Sequence, residues 1–253
     1  MRTTLYISLC ALVGLLTSCV GQYNIAGNSS VACLDGRTLY LRVPIDRTTQ
    51  PMTIDSCEVI HGRFSLGGEV DSITVAQLYM GARAVMPVVI ENGDLTVVVD
   101  NVQQRVAGGK LNDCLYAFLD KRSGIEEDIY QLEQKSLRMM REGRSLGDIR
   151  ERVTPKIKSL AAKIEKMETK FIKDNFHNAL GPGYFIMLCD QQPLPIITAQ
   201  MREVLEDAPA SFFANPYIRH YLNMAAFNPM SVGVEEPAKP SKRHTKNRQR
   251  RKQ

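Results

Sequence analysis

The chain has 253 residues, 44% apolar and 23% charged, with no Trp; this excludes fibrous and globally disordered classes and allows one or two domains with a real core. Mean hydropathy is −0.19, and the one long apolar run is N-terminal, which excludes a polytopic membrane protein. The net charge of +5 is uneven: residues 238–253 hold eight Lys or Arg and no acid, while residues 3–237 carry −4, so a nucleic-acid footprint over the whole protein is excluded.

Residues 1–19 read MRTTLYISLCALVGLLTSC. One cation, Arg2, precedes an apolar stretch at residues 5–16, shorter than the ~20 residues of a membrane-spanning helix and suited to the h-region of a secretory signal. Leu16-Thr17-Ser18-Cys19 resembles the bacterial lipobox, in which Leu and two small residues precede the Cys. That resemblance implies a signal peptide at residues 1–18 and lipidation of Cys19 by a diacylglyceryl group, the palmitate-type anchor of a lipoprotein. Several acyl chains at ~0.8 kcal/mol per buried methylene hold a protein stably on a membrane. No acidic run follows Cys19, so the expected place is the cell envelope, at the outer membrane facing the periplasm. The alternatives are an ordinary signal peptide and a buried N-terminal helix; Cys10 fits less well because Leu9 is too large for the preceding site.

Cys33, Cys57, Cys114 and Cys189 remain. An oxidising compartment permits disulfides, and four thiols allow three pairings. Cys33 and Cys57 both lie in the strand-rich half and are the candidate pair; the alternative is four buried thiols packing as small hydrophobes. There is no CxxC, hence no thioredoxin-type centre.

Residues 19–108 read as a β-rich domain. Alternation opens at Tyr23-Asn24-Ile25, and strands are expected at residues 39–43, 54–60, 63–66, 73–80, 85–91 and 95–99. Asp35-Gly36, His61-Gly62 and Asn92-Gly93 are turn signals, the last read as a primed hairpin turn. Short strands at this spacing predict an antiparallel β-sandwich or barrel-like sheet. After Gly108-Gly109 the period changes. Leu111, Leu115, Phe118, Ile125, Ile129, Leu132 and Met139 form one helical stripe, and Ile149, Val153, Ile157, Leu160, Ile164, Met167 and Phe171 a second. The break at residues 142–148 predicts a helical hairpin, with Pro155 in a first turn or at a kink. Residues 178–183 read as a loop, Tyr184 to Leu188 as a core helix segment or, alternatively, the lining of a pocket, and residues 193–206 and 217–227 as two short helices. The helical region is thus residues 109–228, and the fold class is α+β. Residues 229–253 are expected to be disordered.

Gly62-Arg63-Phe64-Ser65-Leu66-Gly67-Gly68, Val89-Ile90-Glu91-Asn92-Gly93 and Gly108-Gly109-Lys110-Leu111-Asn112-Asp113, following the lipobox and Tyr23-Asn24-Ile25-Ala26-Gly27, make a familiar order. With Asn178-Ala179-Leu180-Gly181 further on, residues 1–225 resemble the uncharacterised β-rich domain of unknown function found in Bacteroidetes lipoproteins. There it usually precedes a thioredoxin-like, alkyl-hydroperoxide-reductase-like domain. Here the chain has a basic tail instead, so that redox activity does not carry over. Gly109 stands where relatives often have Thr, which leaves the first helix's cap open.

No catalytic constellation emerges. His61, His177, His220 and His244 have no metal-binding spacing, and no cofactor fingerprint is present, so neither metal nor cofactor is expected. Asp35, Asp55 and Asp94 read as hydrogen-bonding their turns. Lys239, Lys242, Arg243, Lys246, Arg248, Arg250, Arg251 and Lys252 form a candidate polyanion-binding tail, facing membrane phosphates or an anionic envelope polymer; the plainer alternative is a solubilising tail. The expectation is a lipid-anchored, non-catalytic binding or scaffold module, with membrane and envelope-protein partners and no nucleic acid. The alternative is an accessory to periplasmic thiol–disulfide or oxidative-stress chemistry beside a separate thioredoxin-like protein.

Overall fold

One alternating strand sets the frame. Leu39 and Leu41 are fully buried while Tyr40 and Arg42 point outward, and Arg42 stacks its guanidinium 4.6 Å and 5.0 Å from the ring centroids of Tyr40 and Tyr79. The computed structural model describes residues 21–228; the expected signal peptide, Cys19, His244 and the basic tail lie outside these residues.

Among the described residues eight strands come first: β1 Gly21–Ser29, β2 Thr38–Val43, β3 Met52–Glu58, β4 Arg63–Val70, β5 Thr74–Met80, β6 Arg83–Ile90, β7 Gly93–Val99 and β8 Gln104–Ala107. They make two four-stranded sheets, ordered β4-β1-β7-β8 and β3-β2-β5-β6. All pairings are antiparallel except β1 with β7. The two inner faces enclose Ile25, Leu39, Leu41, Leu78, Val88, Leu95 and Val97, as in a sandwich.

The turns are partly as expected. His61 and Gly62 take φ of 49° and 71° between the bridged residues Ile60 and Arg63, a tight reversal from which β3 and β4 diverge into separate sheets. The hairpin expected at Asn92-Gly93 is absent, because β6 and β7 belong to different sheets. There the chain crosses the sandwich, and the Asn92 side chain accepts from Gln22 N at 2.9 Å, tying the crossing to β1 rather than closing a hairpin. β8, only four residues long, is a strand beyond those expected from the sequence.

Among the described residues seven α-helices follow: α1 Lys110–Arg141, α2 Leu146–Arg152, α3 Thr154–Asp174, α4 Leu180–Gln191, α5 Ala199–Glu206, α6 Ala210–Phe213 and α7 Pro216–Ala226. The second stripe is therefore two helices, not one. Pro155 occupies the first turn of α3, where its missing N–H costs little; within a longer helix it would remove a bond and clash with the preceding turn. Residues 178–183 are only half a loop. α4 begins at Leu180, whose N–H donates to Asn178 Oδ1 at 2.8 Å. Gly183 lets α4 press on β5, since a Cβ there would lie 2.3 Å from Val75 Cγ2. The helix expected from residue 193 starts only at Ala199, with Thr198 accepting from Met201 N; the segment before it is held extended by Tyr221, whose hydroxyl donates to Ile196 O at 2.8 Å and accepts from Ile196 N at 3.2 Å.

The helices cover the outer face of the β3-β2-β5-β6 sheet. Val75 and Val89 leave that sheet to join a second core with Phe171, Ile172, Leu180, Phe185 and Tyr221. α1 runs antiparallel to β6: Asn112 meets Val89 and Tyr116 meets Pro87. A helix of 32 residues is about 48 Å long, against about 26 Å for an eight-residue strand. Ile125 is the last buried residue of α1, so its final stretch, with α2 and the start of α3, projects beyond the sandwich.

Candidate functional site

Three polar joints assemble the body. In the first, Glu91 follows β6 and is buried. Its Oε1 accepts from Asn112 N and Asn112 Nδ2, both at 2.9 Å, and from Leu111 N at 3.1 Å. The carboxylate thus satisfies donors that the start of α1 leaves open, at the positive end of the helix dipole. The Asn112 side chain continues the pattern by accepting from Val89 N at 2.9 Å and donating to Val89 O at 2.8 Å. Gly109 makes no side-chain cap; a Cβ there would lie 2.1 Å from Glu91 Oε1. The open question about this cap resolves physically: Glu91 caps α1 from outside, and Gly109 is the residue that admits it.

In the second joint, Arg47 reaches from the β2–β3 connection. Its Nη1 donates to Cys189 O at 2.8 Å and its Nη2 to Gln192 O, closing the C-terminus of α4, while its guanidinium lies 5.8 Å from the Tyr221 ring centroid. The loop is fixed by Asp46, which accepts from Thr48 N at 2.6 Å, Thr49 N at 2.7 Å and Thr48 Oγ1 at 2.8 Å. The Thr48 hydroxyl, followed by these backbone donors, holds the Asp46 carboxyl down at about 2. On α4, near Arg47, burial raises the Asp190 carboxyl, opposed by the hydrogen bond from Tyr217 Oη and by Arg47.

In the third, buried Glu168 accepts from Arg122 Nε and Tyr184 Oη, each at 2.9 Å, and from Gln200 Nε2 at 3.0 Å. Phe118, Phe171 and Tyr184 pack around it, with Phe118 and Phe171 stacked at 4.1 Å.

Two kinds of open surface remain. A cleft of about 330 Å³ separates sandwich from helices, lined by Val43, Pro44, Thr74, Pro182, Ile186 and Pro216 among others, with Ile45 and Ile73 exposed at its rim. On the projecting hairpin, hollows of about 490 Å³ and 710 Å³ are lined by Lys135 and Lys156, joined by Arg144 and Arg152 in one and by Arg138 in the other. Tyr130, Leu137, Met140 and Leu146 are exposed there.

Among the described residues the four cysteines, Cys33, Cys57, Cys114 and Cys189, are free. Cys57 stands opposite buried Leu39 on the inner side of its sheet, whereas exposed Cys33 borders a surface hollow with Tyr40, which is on the other side of β2. The expected Cys33–Cys57 bridge is therefore not formed. Burial, then Asp55, pushes the Cys57 thiol up to about 11; burial raises that of Cys189 well above its usual value. Cys114 is exposed on α1. The three aspartates bond other elements rather than their own turns: Asp35 accepts from Gly62 N in the β3–β4 reversal, Asp55, within β3, from Gly67 N of β4, and Asp94 from the Asn24 side chain. His61 and His177 are exposed and His220 is half-buried on α7. Among the described residues no three His, Cys, Asp or Glu side chains gather to hold a metal, and no helix is long and apolar enough to cross a membrane. Tyr184 to Leu188 are core residues of α4.

Sequence reasoning missed Glu91, Arg47 and Glu168 as joints. The usable signal was faint: a carboxylate just past a strand, and a double glycine before a helix whose third residue is Asn.

No curated protein matches the chain. Residues 23–115 match the model of a family described as a domain of unknown function, DUF4369; the match takes in the sandwich and ends just past Asn112, so both halves of the Glu91 clasp lie within the stretch that is similar to that family.

Proposed function

We propose that this protein is a lipid-anchored component of the bacterial cell envelope, of the Bacteroidetes lipoprotein type, whose folded body is a non-catalytic binding or scaffold module. The observation that carries the second half is the projecting hairpin. Beyond Ile125, α1 runs on for sixteen residues of which none is buried, and the side chains it leaves open include Tyr130, Leu137 and Met140. Exposed apolar side chains gathered on one projection mark interaction surfaces. Buried Glu91 and Glu168 and half-buried Arg47, by contrast, are committed to joints: Glu91 to a helix start, Arg47 to a helix end, Glu168 to Arg122 and Tyr184. A redox accessory would need a reactive thiolate; the raised thiols of Cys57 and Cys189 leave that part to exposed Cys33 and Cys114.

Two experiments test the two halves. Metabolic palmitate labelling should mark the natural chain and not a Cys19→Ser variant; equal labelling rejects the anchor. Photo-crosslinking from Leu137 in intact envelopes should yield discrete adducts that crosslinking from exposed Val102 does not; the same adducts from both positions reject the hairpin as the contact surface.

A further inference from the structure

The apolar side chains on the hairpin are not alone. Between Glu133 and Lys158 the chain carries eight Lys or Arg against four acids, Glu133, Glu142, Asp148 and Glu151, a net of +4, in a body whose residues 3–237 sum to −4. Arg138, Arg141, Arg144 and Arg150 are all exposed, and among the described residues no ion pair engages them. Interspersed with them, Leu137, Met140 and Leu146 are 45%, 46% and 70% exposed. Leu146 heads α2 at the turn of the hairpin, where Ser145 Oγ accepts from Asp148 N at 3.1 Å and fixes the corner.

Apolar side chains beside exposed arginines suit one environment in particular. At a bilayer interface, Leu and Met enter the boundary between headgroups and acyl chains while arginines meet the phosphates. We propose that the tip of the α1–α2 hairpin is a peripheral docking site for an anionic phospholipid surface. This rests on the reading of the hairpin as the contact surface and names its partner; it does not depend on acylation of Cys19.

The absence of Trp gives a clean test. Leu146→Trp places a single reporter at the tip, and Val102→Trp, at a site 98% exposed in the β7–β8 connection, places one elsewhere. Both are made in the full chain carrying Cys19→Ser, so that no acyl anchor contributes, and are checked for an unchanged melting temperature. Vesicles of phosphatidylglycerol should shift the Leu146→Trp emission to the blue, and brominated acyl chains should quench it; phosphatidylcholine vesicles should do neither. Val102→Trp should be silent with both. Reversal of three charges, Arg138→Glu with Arg141→Glu and Arg144→Glu, should weaken the partitioning roughly hundredfold at low salt. A silent Leu146→Trp overturns the proposal, as does an equal response to the two lipids or an equal response from Val102→Trp. Crosslinks from Leu137 to an envelope protein, together with a silent Leu146→Trp, would keep the contact surface and reject the lipid.

Discussion

Removal of the Glu91 carboxylate should unfasten α1 from the sandwich. In Glu91→Ala, the N–H groups of Leu111 and Asn112 and the Asn112 side-chain amide lose their shared acceptor. A hydrogen bond to a charged group contributes about 1.5–3 kcal/mol and a helix cap about 1; because the three bonds share one carboxylate they do not add fully, and a loss of about 3 kcal/mol follows. For a chain of this size that lowers the melting temperature by roughly 6–12 °C, measured by circular dichroism. The companion change is Gly109→Ala. Its Cβ would meet Glu91 Oε1 at 2.1 Å, so alone it should cost about 2 kcal/mol, but in the Glu91→Ala background the space is vacant and the cost should fall below about 0.5 kcal/mol. The coupling energy of the double-mutant cycle then exceeds about 1 kcal/mol. Strictly additive effects would refute the clasp.

Three further outcomes follow from the other joints. Glu168→Ala leaves Tyr184 Oη without an acceptor and Arg122 with Glu126 as its ion-pair partner, and should destabilise by about 2–3 kcal/mol in urea titration; a change under about 1 kcal/mol would show that the cluster is idle. The Asp46 carboxyl sits at about 2 against an ordinary 3.8, so its contribution is present above the ordinary value and fades as pH falls through about 2; Asp46→Asn should therefore lower the urea midpoint at pH 5 and match the natural chain near pH 2, whereas a gap that persists at pH 2 contradicts this. Alkylation of the native protein at pH 8, read by peptide mass mapping, should modify exposed Cys33 and Cys114 and spare Cys57 and Cys189 until urea is added; early labelling of Cys189 would sink it.

How much of this was legible beforehand depends on the range over which each feature is encoded. Leu39 and Leu41 alternate with Tyr40 and Arg42 within one strand, so the strand could be read from its own residues, and so could the apolar stripes of α1 and α3. Asn92-Gly93 has the chemistry of a primed turn, but whether the next strand pairs with the last or crosses to the other sheet is decided by where the apolar faces of β6 and β7 find a partner, and by the bond from Gln22 to Asn92. The parallel pairing of β1 with β7 joins residues about seventy apart and leaves no local mark. Pro155 announced a helix start or a kink without choosing between them. The joints were hardest, because Glu91, Arg47 and Glu168 are ordinary charged residues until the packing of distant elements brings their partners to them.

The chain enters the sandwich at Gly21, beside Asn92 and the clasped start of α1, while the hairpin turn lies at the far end of a helix about 48 Å long. Anything joined ahead of Gly21 therefore holds the molecule like a boom hinged at its foot. Once the foot is fixed to a surface, the free end sweeps a confined volume above it, and a second grip that would be feeble from bulk solution becomes an intramolecular event at high effective concentration.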